Sequence, residues 1–354
     1  MTSTKHPKII ALWLFICCAT IYSMVVLGGA TRLTGSGLSM VQWEPIMGSL
    51  PPMTESQWLE KFEQYKQFPE FKVKNPTMDL DAFKSIFWFE YSHRLLGRLI
   101  GIIFFFPMVF FFYKGWVSSS LKPRLIAMFI LGGLQGLLGW YMVKSGLVNN
   151  PDVSQYRLAA HLGLALFVYA YILWLGMDLV FEQDEVHNQA STINNDLKKK
   201  RLMNKLKPFS LFLSFFVFIT AISGGFVAGL KAGHAYNTFP LMNGQLIPDG
   251  LFTLEPGWIN FFENITTVQF DHRLLVSLLF ISLIVFYCIA IRKKPPRSIS
   301  VGLHLMLVIL FIQVSLGIST LLLHVPVLLA IGHQAGALLL FTIMLYLGNQ
   351  IKRS

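Results

Sequence analysis

Two short stretches place ionisable side chains at the start of very apolar segments. The first, FEYSHRLLGR at residues 89–98, carries four side chains that can be charged near neutral pH: Glu90, His93, Arg94 and Arg98. The second, VQFDHRLLVS at residues 268–277, repeats the HRLL run but has Gln269 where the first has a glutamate. Burying a charge among apolar side chains is costly unless the charge is paired. These stretches are therefore the first candidates for chemistry.

Histidines at matched positions suggest two haem sites. Four of the nine histidines begin apolar segments: His93, His161, His272 and His333. Haem iron takes two axial ligands, histidine is a common one, and helix bundles are common haem sites. Zinc or copper is less favoured, because no carboxylate–histidine or thiolate cluster recurs in both halves. The pattern predicts one haem between His93 and His161 and another between His272 and His333.

Three arginines lie next to these histidines. Arg94 and Arg273 follow their histidines directly, and Arg98 lies one helical turn further along. A guanidinium group binds a carboxylate through two parallel hydrogen bonds. We therefore expect these arginines to contact haem propionates. The alternative is that they only extend toward the membrane interface.

The pair Glu90 and Gln269 distinguishes the two predicted sites. Each precedes a histidine by three residues and so lies on the same helical face as that histidine. A carboxylate beside a haem can accept a proton or stabilise a developing positive charge, and an amide does neither as well. This predicts a reactive N-terminal site and a resident electron-transfer haem in the C-terminal site. The alternative is an ion pair between Glu90 and Arg94 at the interface.

The composition places these residues in membrane-spanning helices. Hydrophobic residues make up 54% of the 354, charged residues only 13%, and the mean hydropathy is +0.56. A soluble domain has about 25% charged residues. A helix needs about 20 apolar residues to cross a bilayer, and a spanning segment must satisfy its own backbone hydrogen bonds. Eight such helices are predicted, at residues 9–29, 87–112, 122–143, 157–181, 209–230, 268–291, 300–321 and 325–348.

The basic residues indicate the orientation of the chain. The net charge is +11, and lysines and arginines concentrate in the termini and in the short loops of one side: residues 5–8, 114–124, 198–207, 292–297 and 352–353. Such clusters mark the cytoplasmic side, so they do not suggest nucleic acid as a partner. The first span is too long for the apolar part of a signal peptide. We predict a lipid-embedded, multi-pass protein of a bacterial cytoplasmic (inner) membrane, with both termini cytoplasmic.

The chain is predicted to contain a duplicated four-helix unit. Beyond the HRLL run, QGLLG at 135–139 matches QVSLG at 313–317, and HLGLAL at 161–166 matches HQAGAL at 333–338. An even number of spans gives both units the same orientation in the membrane. The units should then be related by a pseudo-twofold axis along the membrane normal.

The predicted fold is therefore an all-α integral membrane protein made of two parallel-repeat four-helix bundles. Residues 1–181 form the N-terminal half with the haem site predicted to be reactive, and its long outer loop spans 31–86. Residues 182–207 form a basic cytoplasmic linker. Residues 208–354 form the C-terminal half with the resident haem site.

Six segments resemble the haem A synthases, in particular their proteobacterial and mitochondrial branch. They are GGATRLTGSGLSMVQWEPIMGSLPP at 28–52, EYSHR at 90–94, PDVSQYRLAAHL at 151–162, GGFVAGLKAGHAYNTFPLM at 224–242, DHR at 271–273 and HVPVLLAIGHQ at 324–334. The resemblance covers nearly the whole chain, and its first and fourth segments are long enough to be specific.

The resemblance implies an oxidoreductase that converts the C8 methyl of haem O into the formyl of haem A by two successive hydroxylations, for cytochrome oxidase assembly. It implies that His272 and His333 ligate the iron of a haem b cofactor. It implies that His93 and His161 flank the substrate haem O, with Glu90 as the essential acidic group. A haem O synthase and a second copy of this chain are candidate partners, and the electron acceptor is not identified.

The cysteines depart from part of that family. Some members carry cysteine pairs in their outer loops, whereas Cys17, Cys18 and Cys288 all lie within predicted spans. We expect all three to be buried small hydrophobic side chains, with no thiol-based redox step in this chain.

Two other functions fit parts of the pattern. A bis-histidine dihaem cytochrome exchanging electrons with quinone explains the four histidines but not the difference between Glu90 and Gln269. A transporter with an intramembrane proton relay is expected to have broken helices at mid-membrane. Three outer-loop residues are further candidates to shape a substrate site: Arg32, Trp43 and Asn237.

Overall fold

The computed structural model describes residues 4–41, 50–146, 151–188 and 205–353, which contain helices and no strand. Eight helices are long and apolar enough to cross a membrane. They are α1 (Pro7–Leu33), α4 (Leu80–Tyr113), α5 (Lys122–Gly146), α6 (Gln155–Asn188), α7 (Lys207–Gly229), α9 (Ile265–Arg292), α10 (Arg297–Leu322) and α11 (Val327–Arg353). Three shorter helices lie between them: α2 (Glu55–Lys66), α3 (Pro69–Lys74) and α8 (Asn260–Glu263). The prediction of an all-helical, multi-pass membrane protein is confirmed.

Several helices are longer than the sequence pattern predicted. Helix α4 starts at Leu80, where the Asp79 carboxylate accepts a hydrogen bond of 2.8 Å from Ala82 N. His93 consequently lies in the fourth turn of its helix and not in the first turns. Helix α6 continues to Asn188, inside the predicted linker, and residues 189–204 of that linker lie outside the described part of the chain.

The two halves have the same pattern of helix contacts. In the first half, α1 packs against α4 and α6, and α5 packs against both α4 and α6. In the second half, α7 packs against α9 and α11, and α10 packs against both α9 and α11. Between the halves, α6 contacts α7 and α11, and α1 contacts α11. Each helix of one half thus has a counterpart with equivalent neighbours in the other.

Polar contacts cross the interface between the halves. The Gln334 side-chain amide donates to Val25 O at 2.8 Å, and Tyr22 OH donates to Ala335 O at 2.9 Å. At the far end of α6, Asp178 accepts a hydrogen bond of 2.6 Å from the Arg353 guanidinium. An apolar core common to both halves surrounds these bonds. Satisfied polar contacts in such surroundings favour one arrangement of the helices.

A small cap covers the outer end of α4. An aromatic cluster joins α2 to α4 and comprises Phe62, Tyr65, Phe83, Phe87 and Tyr91. Helix α2 begins with a capping box, in which the Thr54 hydroxyl and the Gln57 side chain each accept from the other's backbone N–H. The cap thus adds an aromatic layer to this end of the N-terminal half.

The cysteine prediction is only partly right. Cys17 and Cys18 are buried, as expected for small hydrophobic side chains. Cys288 is exposed, because it lies on the face of α9 that points away from the other helices. This exposed position lies in a membrane-spanning helix.

Candidate functional site

Each of the four histidines lies against a glycine of a neighbouring helix. A Cβ added to that glycine would lie 3.0 Å from His93 Nε2 at Gly28, 2.9 Å from His161 Cε1 at Gly139, 3.3 Å from His272 Cε1 at Gly224 and 2.7 Å from His333 Cε1 at Gly317. All four distances are below the 3.4 Å at which ordinary contact begins. The imidazole rings therefore occupy space that any larger residue would fill.

The histidines form two pairs, one in each half. His161 lies close enough to His93 for the two rings to interact electrostatically, and His333 is similarly placed relative to His272. Each pair joins the second and fourth spanning helices of its half. That each pair ligates a haem stays a prediction.

In the C-terminal pair, both rings are held through Nδ1. Ser223 Oγ lies 2.7 Å from His272 Nδ1 and donates its own proton to Thr220 O at 2.8 Å. His333 Nδ1 lies 3.2 Å from Gln313 O, a carbonyl that can only accept. His333 Nδ1 therefore carries the proton, and Ser223 Oγ can accept a proton from His272 Nδ1 in the same way, which would leave Nε2 of both rings with a free lone pair. A neutral imidazole in this tautomer is ready to bind a metal through Nε2.

The N-terminal pair is held differently. The Gln135 side-chain amide donates to His161 O at 2.9 Å and lies 3.1 Å from His161 Nδ1. The same amide lies 3.4 Å from His161 Nε2, so it contacts the ring edge between the two nitrogens and does not select one tautomer. His161 is therefore held by a side-chain amide, whereas His333 is held by a backbone carbonyl.

The buried Glu90 carboxylate accepts hydrogen bonds from the outer loop and from Arg94 on its own helix. Its Oε2 accepts from Ser39 Oγ at 2.7 Å and from Met40 N at 2.8 Å, and its Oε1 accepts from Arg94 at 2.6 Å. Arg94 also donates to Met40 O at 2.7 Å. The ion pair proposed as the alternative role of Glu90 is thus present. Three donors also hold the carboxylate one helical turn from His93.

Gln269 has the opposite hydrogen-bonding role in the C-terminal half. Its side-chain amide donates to Tyr236 O at 3.0 Å. Arg273 donates to the same carbonyl at 2.8 Å and to Thr238 O at 2.9 Å. The two halves therefore use the same scaffold, but only the N-terminal half places a carboxylate there. Arg94 and Arg273 both anchor outer-loop carbonyls, and their contact with propionates remains a prediction, as it does for Arg98.

Two of the three outer-loop candidates donate hydrogen bonds to backbone carbonyls of other segments. The Arg32 guanidinium donates to Ala228 O in the other half. The Asn237 side chain donates to Gly233 O at 2.9 Å and to Leu321 O at 2.7 Å. Trp43 lies outside the described residues.

The donor set of these pairs fits haem. Within the described ranges, no group of three or more His, Cys, Asp or Glu side chains could hold a metal ion. Two imidazoles per site, each packed on a glycine in apolar surroundings, match the two axial positions of a haem iron. The glycines leave the space that the imidazole rings themselves occupy.

Sequence analysis missed the residues that set the imidazole orientations. Ser223 and the two glutamines were not selected, although Gln135 and Gln313 begin the repeated QxxxG motifs. That repeat, with its glycine one turn after the glutamine, was the available signal. No such signal pointed to Ser223, because the residue at the matched position of the repeat is Leu27.

Comparisons with known proteins agree with this picture. The family model COX15-CtaA, described as "Cytochrome oxidase assembly protein", matches residues 11–345. A "Heme A synthase" of Nitrosospira multiformis is 51% identical over 98% of this chain and 94% of its own length. One from Parvibaculum lavamentivorans is 46% identical over 98% of this chain and 94% of its own. The human "Heme A synthase COX15" is 44% identical over 100% of this chain and 85% of its own.

Proposed function

The chain belongs to the COX15-CtaA family of cytochrome oxidase assembly proteins, and we propose that it is a haem A synthase. It is a membrane enzyme, an oxidoreductase that converts the C8 methyl of haem O into the formyl of haem A. The observation that carries this proposal is the buried Glu90 carboxylate beside one histidine pair, with Gln269 at the matched position of the other. Electron transfer alone does not require that difference.

The resident cofactor of the proposed enzyme is haem b, with His272 and His333 as its iron ligands. Their Nδ1 atoms lie 2.7 Å from Ser223 Oγ and 3.2 Å from Gln313 O, two groups that can accept the Nδ1 protons and leave both Nε2 atoms available. When bound, haem b supplies one-electron transfer. The protein supplies the fixed tautomer, the glycine-lined space and the apolar surroundings.

The substrate haem O lies between His93 and His161 in this proposal. Glu90 holds its carboxylate beside that pair through Ser39, Met40 and Arg94. Oxidation of a methyl group requires removal of protons, and a carboxylate in a water-poor pocket is suited to accept them. The outer cap restricts the access of water to this carboxylate, which is only 3% exposed.

The wider setting is proposed from the same features. The two four-helix halves, joined near 182–207, are related by a pseudo-twofold axis along the membrane normal, and their matching helix contacts support this. The basic loops place both termini on the cytoplasmic side of a bacterial inner membrane. A haem O synthase and a second copy of the chain remain candidate partners, and the electron acceptor is still to be identified.

The function is tested by haem extraction and mass identification from a host that makes haem O but lacks its own haem A synthase. Expression of this chain should yield haem A or its hydroxylated precursor. The Glu90→Gln variant should form no formyl product yet retain haem b, and the exposed cap substitution Glu60→Gln should behave as wild type.

The outcomes separate the two functions. Only haem b in a coloured protein, with haem O supply verified, would favour the dihaem cytochrome. Full activity in Glu90→Gln would remove the catalytic assignment of that residue. Loss of haem b in His272→Ala is expected if this histidine is an axial ligand.

A further inference from the structure

One residue that contacts an imidazole ring in the C-terminal half has an apolar residue at the matched position of the N-terminal half. Ser223 directly precedes Gly224, the glycine that faces His272. The matched glycine of the N-terminal half is Gly28, and it is preceded by Leu27. The C-terminal half therefore has a hydroxyl group beside its histidine ring, and the N-terminal half has an apolar side chain at the matched position.

The hydroxyl of Ser223 has a defined role in the hydrogen bonding. It carries one proton, and Thr220 O, which can only accept, lies 2.8 Å away. With its own proton directed at Thr220 O, the hydroxyl can accept a proton from His272 Nδ1, which lies 2.7 Å away. Ser223 is thus placed to hold the His272 ring in the tautomer that leaves Nε2 free to ligate iron. Leu27 offers no polar atom to do the same for His93.

The ring orientations differ in the same way. The His272 atom nearest to a Cβ on Gly224 would be Cε1, at 3.3 Å, with both nitrogens at 3.9 Å. The His93 atom nearest to a Cβ on Gly28 would be Nε2 itself, at 3.0 Å. The nitrogen that would ligate iron is thus directed at the neighbouring helix in the N-terminal half. His93 must turn before it can ligate.

We propose that Ser223 is the positioning residue that makes the C-terminal haem site permanent, and that Leu27 at the matched position keeps the N-terminal site exchangeable. The inference rests on the proposed function, in which His272 ligates the resident haem b. A substrate must enter and leave, whereas a cofactor must stay. A preset imidazole tautomer strengthens ligation, and loss of such a supporting hydrogen bond lowers metal affinity about 10- to 100-fold.

The test measures the transfer of haem b from the purified full-length protein to excess apomyoglobin. Ser223→Ala should release haem b about 10-fold faster than wild type, with an upward shift of the reduction potential because the imidazole becomes a weaker electron donor. Ser223→Thr, which keeps the hydroxyl, should restore both values. Ser214→Ala is the matched control, since this buried hydroxyl on the same helix donates only to Ser210 O at 2.9 Å.

The reciprocal variant keeps the inference testable if Ser223→Ala does not fold. Leu27→Ser should slow the release of haem O from the loaded protein several-fold. Wild-type release rates and potential in Ser223→Ala, or unchanged haem O release in Leu27→Ser, would overturn the inference. Retention of haem b in His272→Ala would instead overturn the site assignment of the proposed function.

Discussion

Substitution of one glycine should remove the resident haem without weakening the helix that carries it. In Gly317→Ala, the new Cβ would lie 2.7 Å from His333 Cε1 and 3.2 Å from His333 Nδ1. Ordinary contact begins at 3.4 Å, so the ring would have to retreat by about 0.7 Å, the difference between 3.4 and 2.7 Å. Metal–ligand distances tolerate only about 0.2 Å. The displaced imidazole can therefore no longer ligate the iron well.

The ring has little freedom to adapt. His333 Nδ1 lies 3.2 Å from Gln313 O, and the Gln313 side chain donates to His333 O at 2.9 Å. A retreat of the ring would break the first bond, while the second holds the backbone in place. We expect haem b affinity to fall at least about 10-fold. Helix stability should not fall, because alanine favours a helix by up to about 1 kcal/mol over glycine.

The assay is the ratio of haem b to protein after purification, together with the absorption spectrum of the bound haem. Gly332→Ala is the matched control, because its Cβ would meet only Leu316 side-chain atoms at 3.8 Å. The control should keep its haem. A Gly317→Ala protein with full haem content and an unchanged spectrum would show that this glycine does not set the position of His333.

Three further predictions concern the substrate site, the cap and the interface. Gly139→Ala should weaken haem O binding, measured by spectral titration, because its Cβ would lie 2.9 Å from His161 Cε1. Gly136→Ala is the control and should leave haem O binding unchanged, because its Cβ would meet no atom within 4 Å. Burial raises the pKa of Glu70 from 4.5 to about 7. The folded protein therefore favours the protonated side chain, and the free energy of unfolding falls by about 3 kcal/mol as pH rises through 7. Glu70→Gln should therefore slow hydrogen exchange of the cap at pH 8 but not at pH 5. Asp178→Asn should lower thermal stability in detergent by about 1–3 kcal/mol, because it removes the charge that Arg353 pairs with at 2.6 Å; an unchanged melting temperature would contradict this role.

The dihaem cytochrome remains the alternative to compare with each result. It shares the histidine pairs and the facing glycines, so haem loss in Gly317→Ala does not distinguish it. The hydrogen bonds to Glu90 and Gln269 do bear on the choice. Glu90 accepts from the backbone of the outer loop, and Gln269 donates to the backbone at Tyr236 in the other half. If the protein only transferred electrons, this difference would serve loop packing alone. Activity of Glu90→Gln decides between these two explanations.

The sequence by itself determined the helical membrane fold and the family. Bilayer thickness and the need to satisfy backbone hydrogen bonds leave few solutions for eight long apolar segments, so their number and approximate positions follow from hydropathy. The motifs around His93 and His272 were also readable, because ionisable residues are rare in apolar segments. The start of α4 at Leu80 was not, since that extension is stabilised by aromatic packing with the cap and not by lipid.

Only the tertiary structure decided how each imidazole is presented. Hydropathy and spacing specify which helix face a histidine occupies, but they carry no information about the hydrogen-bond partner on the next helix. Ser223 at 2.7 Å from His272 Nδ1, and Gln135 at 3.1 Å from His161 Nδ1, contact rings on other helices. Such contacts depend on how closely two helices approach and how they rotate about their axes. Those quantities are set by packing over the whole bundle, and the hydrogen-bond partner of each histidine follows from them.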